Sequence, residues 1–217
     1  MRKTSLHRDF EGHYGTSRSE KTCRTEYNQA NMKDLIEKIK SDPRYQRNIE
    51  YGEPRSGHPE GKVKFHIADL EANLDLLRER GIGEEEYWKL KFMIHVHDSF
   101  KSEAEKHSPT LHPRNHASLA KEYASQFTDD ADLLNMLQYH DENYKLWTEY
   151  SKTGKYNEES FQNLLSAINN WDLFLIFTII DGCTKGKDHQ KLGWFINEVK
   201  KYKETIVTAS WVLPPSK

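Results

Sequence analysis

The chain has 217 residues, 30% of them charged, with a formal net charge of −2 and a mean hydropathy of −0.92. That length allows one sizeable domain with a short appendage, and the near-neutral balance gives no whole-chain basic footprint for nucleic acid. Two cysteines, Cys23 and Cys183, are too few and too far apart for a disulfide framework or a zinc finger, and free thiols in a reducing cytosol are expected. The opening MRKTSLHRDFEGHYG has no apolar run after its basic residues, and the longest apolar run, LFLIFTII at 173–180, is far below the roughly 20 residues of a membrane span. A soluble, cytoplasmic protein without a membrane partner is expected.

Residues 1–30 are polar and poor in apolar anchors and read as a peripheral arm. NMKDLIEKIKSDPRY then offers a short helix with Asn31 as a cap and Pro43 as a stop. The Gly- and Pro-rich YGEPRSGHPEGK is a loop. In KFHIADLEANLDLLRERG, Phe65, Leu70, Leu74 and Leu77 recur near helical spacing and Gly81 supplies an exit. EEEYWKLKFMIHVHD carries acids in its first turn and Trp88, Leu90, Phe92, Met93 and Ile94 for burial. A polar loop at 102–112 leads to Pro113, expected as the first residue of a helix over RNHASLAKEYASQF. DDADLLNMLQYHDENY is short and well capped. EESFQNLLSAINNWDLFLIFTIIDG reads as one long central helix, and QKLGWFINEVKKYKETI as an amphipathic closing helix. No strand series or repeat is found. The expectation is an all-α bundle, divided as an arm and short helix over 1–55, a helical domain over 56–205 and a tail over 206–217.

Among 11 histidines, one ordered series stands out: His66, then His97 beside Asp98, His116, His140 and finally Asp181. Imidazoles with carboxylates suit Mn, Fe, Ni, Co or Zn and not calcium, and separate helices each giving a ligand is how bundle cores build metal sites. Asp181 follows FLIFTII, where an unpaired carboxylate is disfavoured, so a cap or a metal is required. On a helix His95 points about 200° away from His97 and reads as packing. Asp141 competes with His140 for the inward position. Pro113 as helix start leaves His112 in the loop, at the mouth of a site. His58 organises the preceding loop.

The series resembles the motif of the HD superfamily of metal-dependent phosphohydrolases, over about residues 56–185. GHPEGKVKFH is similar to the opening of many such domains, and HDSFK matches the frequent His-Asp-x-x-Lys. The resemblance implies an all-helical bundle and, with the two extra histidines, two ions: His66, His97, Asp98 and Asp181 around one, and Asp98, His116 and His140 around the other. It implies a phosphohydrolase acting through metal-activated hydroxide on a nucleotide or other small phosphate ester, with Lys101 as the catalytic cation beside Asp98. Lys101, Arg114, His112 and His58 are the candidates for contacting substrate. The same ligand order also resembles the mixed-valence di-iron oxygenases of this fold, and a degenerate, non-catalytic nucleotide sensor is a third class. Oligomeric state and native metal are left open by the sequence.

Overall fold

Capping residues and apolar spacing decide where each helix begins and which face it buries. The structure is a computed structural model and describes residues 32–214. The expected arm, including Asn31 and Cys23, lies outside the described residues. Helix α1 covers 32–41. Pro43 does not simply stop it: with Asp42 accepting from the Arg44 amide at 2.7 Å, Pro43 opens α2, Pro43–Asn48. A proline at the first helical position loses no hydrogen bond, so it starts a helix as readily as it ends one.

The next two helices are α3, Val63–Arg78, and α4, Glu84–Val96, packed on each other. Leu70, Leu74 and Leu77 are fully buried, each worth about 1.5–3 kcal/mol relative to exposure. Phe65, expected in that stripe, is 50% exposed. At 100° per residue it falls beside the stripe, and His66 and Ile67 take the inward positions instead. Then come α5, His116–Ala124, α6, Ala131–Tyr139, and α7, Glu142–Thr153, whose separate existence the sequence pattern did not reveal. Helix α5 starts at His116 and not at Pro113, because the Asn115 side chain accepts from the Ala117 amide at 2.9 Å and so sets the cap.

The expected single long helix is two: α8, Glu158–Ala167, and α9, Trp171–Gly182, with a 118° bend between them. Ile168 is extended and buried, Asp132 accepts from the amides of Asn169 and Asn170 at 2.8 Å each, and Asn170 caps α9 through the Leu173 amide at 3.0 Å. Helix α9 is buried on nearly every face and contacts α3, α4 and α10, Gln190–Lys200. Val207 and Leu213 on the C-terminal segment, which includes a 3₁₀ turn at Ala209–Trp211, are buried against this core. The fold is an all-α helical bundle, and the described residues contain no strand. No single helix among them is long and apolar enough to cross a membrane.

Asn170→Ala removes the cap that opens the central helix. It is expected to lower stability by about 1 kcal/mol, read as a lower urea midpoint at unchanged slope; an unmoved midpoint would show that Asp132 alone holds the corner.

Candidate metal centre

All six residues in the His/Asp series lie within a turn of a helix end. His66 is in the first turns of α3, His97 is the C-cap of α4 with Asp98 next, and His116 opens α5. His140 is the C-cap of α6, and Asp181 is in the last turn of α9. The packing of α3 on α4 and α9, and of α5 on α6, brings these ends to one pole of the bundle. Three of the ends are helix C-termini, whose free carbonyls carry partial negative charge and favour cations.

The carboxylate of Asp98 divides the cluster. Its Oδ1 faces His140 Nε2 at 3.5 Å and His116 Nε2 at 3.8 Å. Its Oδ2 faces His97 Nε2 at 3.5 Å and His66 Nε2 at 3.8 Å, and receives the Lys101 ammonium. Two groups of donor atoms follow, each with all members within 4.8 Å of one another: His66, His97 and Asp98, and Asp98, His116 and His140. Donors about 2.1 Å from one ion, at angles near 90–110°, lie roughly 3.0–3.4 Å apart. The spacings from Asp98 to the imidazoles, 3.5–3.8 Å, exceed this by only a few tenths of an ångström. These side chains could hold metal ions.

The imidazoles are oriented for that task. His97 Nδ1 lies 3.1 Å from the Ile94 carbonyl and 3.2 Å from that of Met93, and His140 Nδ1 lies 2.8 Å from the Leu137 carbonyl. The ring proton then belongs on Nδ1, and the bare Nε2 turns inward, as metal-ligating histidines require. His116 and His140 point their Nε2 atoms at each other, 3.2 Å apart. His97 Nε2 and Asp98 Oδ1 are buried without a hydrogen-bond partner. An orphaned buried polar atom costs about 1–3 kcal/mol, and a cation between the two histidine pairs would relieve both. The donor set fits a transition metal.

Burial by itself would raise the Asp98 carboxyl, but Lys101 and the surrounding imidazoles hold it well below the usual carboxylate range. Burial pushes the His97 imidazole down and so keeps it neutral. Asp181 accepts from Lys187 at 2.8 Å and lies 2.9 Å from His66 Nε2, and these cations outweigh burial and hold its carboxyl low as well. His66 Nδ1 is 3.0 Å from Glu60 Oε1 yet misaligned for a hydrogen bond, so this contact is electrostatic.

The structure thus brings together His66, His97, Asp98, His116, His140 and Asp181, with Lys101 against them. Asp141 does not replace His140; both are present, with Asp141 Oδ2 3.1 Å from His116 Nε2 and Oδ1 3.8 Å from His140 Nε2. His58 is held 2.9 Å from Glu60 and lines a cleft of about 530 Å³ that opens beside Lys101, Asp141 and Asp181. His112 and Arg114 do not line the clefts around the centre. The Arg114 side chain is 70% exposed and reaches 3.7 Å from Glu105, while His112 Nδ1 accepts from the Arg114 amide at 3.3 Å. With α5 starting only at His116, both residues stay in the turn before it. His95 faces the other side, bonded to Tyr45 at 2.6 Å and Glu71 at 3.2 Å.

Sequence reasoning passed over Glu60 and Lys187. Glu60 lies within the quoted GHPEG tract, six residues before His66, and its position there was the available signal. Lys187 follows Asp181 in a polar turn and carries no signal of its own. Compared with protein-family models, with curated proteins and with solved structures, the chain gives no match.

Only Asp98 reaches both sets of imidazoles. Asp98→Asn is therefore expected to lose more bound transition metal than His116→Ala. Elemental analysis of purified variants with unchanged helical circular dichroism measures this, and equal metal retention in wild type and both variants contradicts the geometry.

Proposed function

We propose that the chain is a metal-dependent phosphohydrolase of the HD type, acting on a nucleotide or another small phosphate ester with two divalent ions. His66, His97, Asp98 and Asp181 would hold one ion, and Asp98, His116 and His140 the other. One observation carries this reading: the two oxygens of the buried Asp98 carboxylate face different histidine pairs, as a bridging ligand must. Such ions would supply Lewis-acid polarisation of phosphoryl oxygens and a water of lowered pKa. Imidazole and carboxylate donors favour Mn, Fe, Ni, Co or Zn.

The chain's own side chains would do the rest. Lys101 lines the cleft while touching Asp98, where an ammonium offsets charge developing on the phosphoryl oxygens. Burial opposes its charge, but Asp98 and Asp141 outweigh burial and keep it protonated. Glu60 stands beside both His58 and His66 and orients the loop over the centre. The cleft volume of about 530 Å³ suits a small ligand of nucleotide size.

Released phosphate from nucleotides and p-nitrophenyl phosphate, screened with Mn, Ni, Co, Zn and Fe, tests the reading. Asp98→Ala is expected to abolish turnover with helical circular dichroism retained, and Lys101→Ala to lower kcat/KM by about 10²–10³-fold. Full activity of Asp98→Ala would remove the proposed site, whereas oxygen uptake by iron-loaded protein without phosphate release would move the chemistry to the di-iron oxygenases of the same fold.

A further inference from the structure

The cleft beside the centre has a wall that the proposed chemistry does not use. Lys191, in the first turn of α10, is only 9% exposed yet lines the cleft. Among the described residues its ammonium has no hydrogen bond or ion pair. The ammonium lies 5.4 Å from the centre of the Tyr144 ring. The neighbouring lysines differ: Lys101 is bound to Asp98 and Lys187 to Asp181. A cation withdrawn from water without a counter-charge is unfavourable. Burial accordingly depresses the Lys191 ammonium, with Asp181, Asp141 and Asp188 acting in the opposite sense without reversing it.

The surroundings of Lys191 suggest what would complete it. Arg55, exposed at the cleft mouth, has a guanidinium without an ion pair among the described residues. The acids in the lining are already engaged: Asp181 by His66 and Lys187, Asp141 by His116, and Asp188 by the Gln190 amide at 2.9 Å. Tyr144 and Trp147, three residues apart on α7 and so on one face, supply an aromatic surface in the cleft that Arg55 also lines, with Tyr144 beside Lys191.

We propose that Lys191 and Arg55 form a second anion subsite, so that the substrate is a ring-bearing phosphate ester with a second, non-reacting phosphate. This inference rests on the phosphohydrolase reading for the fate of the first phosphate. In it, the reacting group lies at the metal centre, the second phosphate meets Lys191 and Arg55, and the planar ring lies on Tyr144 and Trp147. Two cations suit a dianion, and the aromatic faces tolerate any flat base. Such a site discriminates by charge, because a substrate lacking the second phosphate leaves Lys191 buried and unpaired.

Calorimetric titration of the full chain, treated with EDTA so that turnover does not interfere, compares adenosine 5′-monophosphate with adenosine 3′,5′-bisphosphate. The wild type is expected to bind the bisphosphate at least tenfold more tightly. Lys191→Met should erase that difference, and Lys191→Arg should restore most of it, with circular dichroism reporting that both variants are folded. Equal affinities in the wild type, no heat with either ligand, or equal weakening of both ligands by Lys191→Met would overturn the proposal. Hydrolysis of p-nitrophenyl phosphate by the metal-loaded wild type reports separately on the enzymatic reading. Binding without hydrolysis, or hydrolysis without the affinity difference, then identifies which of the two fails.

Discussion

A buried carboxylate that has to be neutralised organises this molecule. Asp98 is 4% exposed and lies just past the C-cap of α4, whose last turns are buried. An isolated carboxylate there would be heavily penalised, and the chain answers with four imidazoles and one ammonium drawn from four separate segments. Because the two oxygens of one group are shared among these partners, the segments cannot shift independently. The requirement to compensate Asp98 thus ties the starts of α3 and α5 to the ends of α4 and α6.

Helix termini are suited to this role. Their last carbonyls lack the usual amide partners, and here the carbonyls of Ile94 and Leu137 hold the Nδ1 atoms of His97 and His140. Satisfying the backbone and aiming the imidazole are the same event. The apolar helix α9, buried on nearly every side, provides the rigid floor, and delivers Asp181 to the same pole at its final turn. The chain is also irregular where it approaches the centre. The loop before α3 has no regular secondary structure beyond an isolated bridge between Arg55 and His58, and it carries Arg55 and His58, which line the cleft, and Glu60, which stands behind His58 and His66.

Much of the bundle was legible in the order of residues. The stripes of α3, α4 and α10, the all-apolar character of α9, and the well-capped start of α6 follow from local spacing and from side chains that bond their own backbone. The errors share a cause: a local signal was read with one partner missing. Pro43 and Pro113 each have two meanings, and the neighbouring Asp42 and Asn115 chose between them. The break at Ile168 depends on Asp132, 36 residues earlier in the chain. Phe65 lost its inward place to His66 because the centre, and not apolar burial, claims that face of α3.

For the site, the order His66, His97-Asp98, His116, His140, Asp181 marked which side chains to watch. Their types limited the chemistry to hard and borderline metal ligands, since donor chemistry is a property of each residue alone. Convergence is different. Whether Asp141 stands with His140 or in place of it, whether Arg114 and His112 reach the cleft, and whether Lys187 and Lys191 border it are set by distances between helices remote in sequence. Those distances come from how buried faces interlock, which no single segment encodes. The amino-acid order by itself determined an all-helical chain with a full set of ligand types. Only the tertiary packing decided that they share one pole, split across the two oxygens of Asp98, beside a cleft with a cation still lacking its counter-charge.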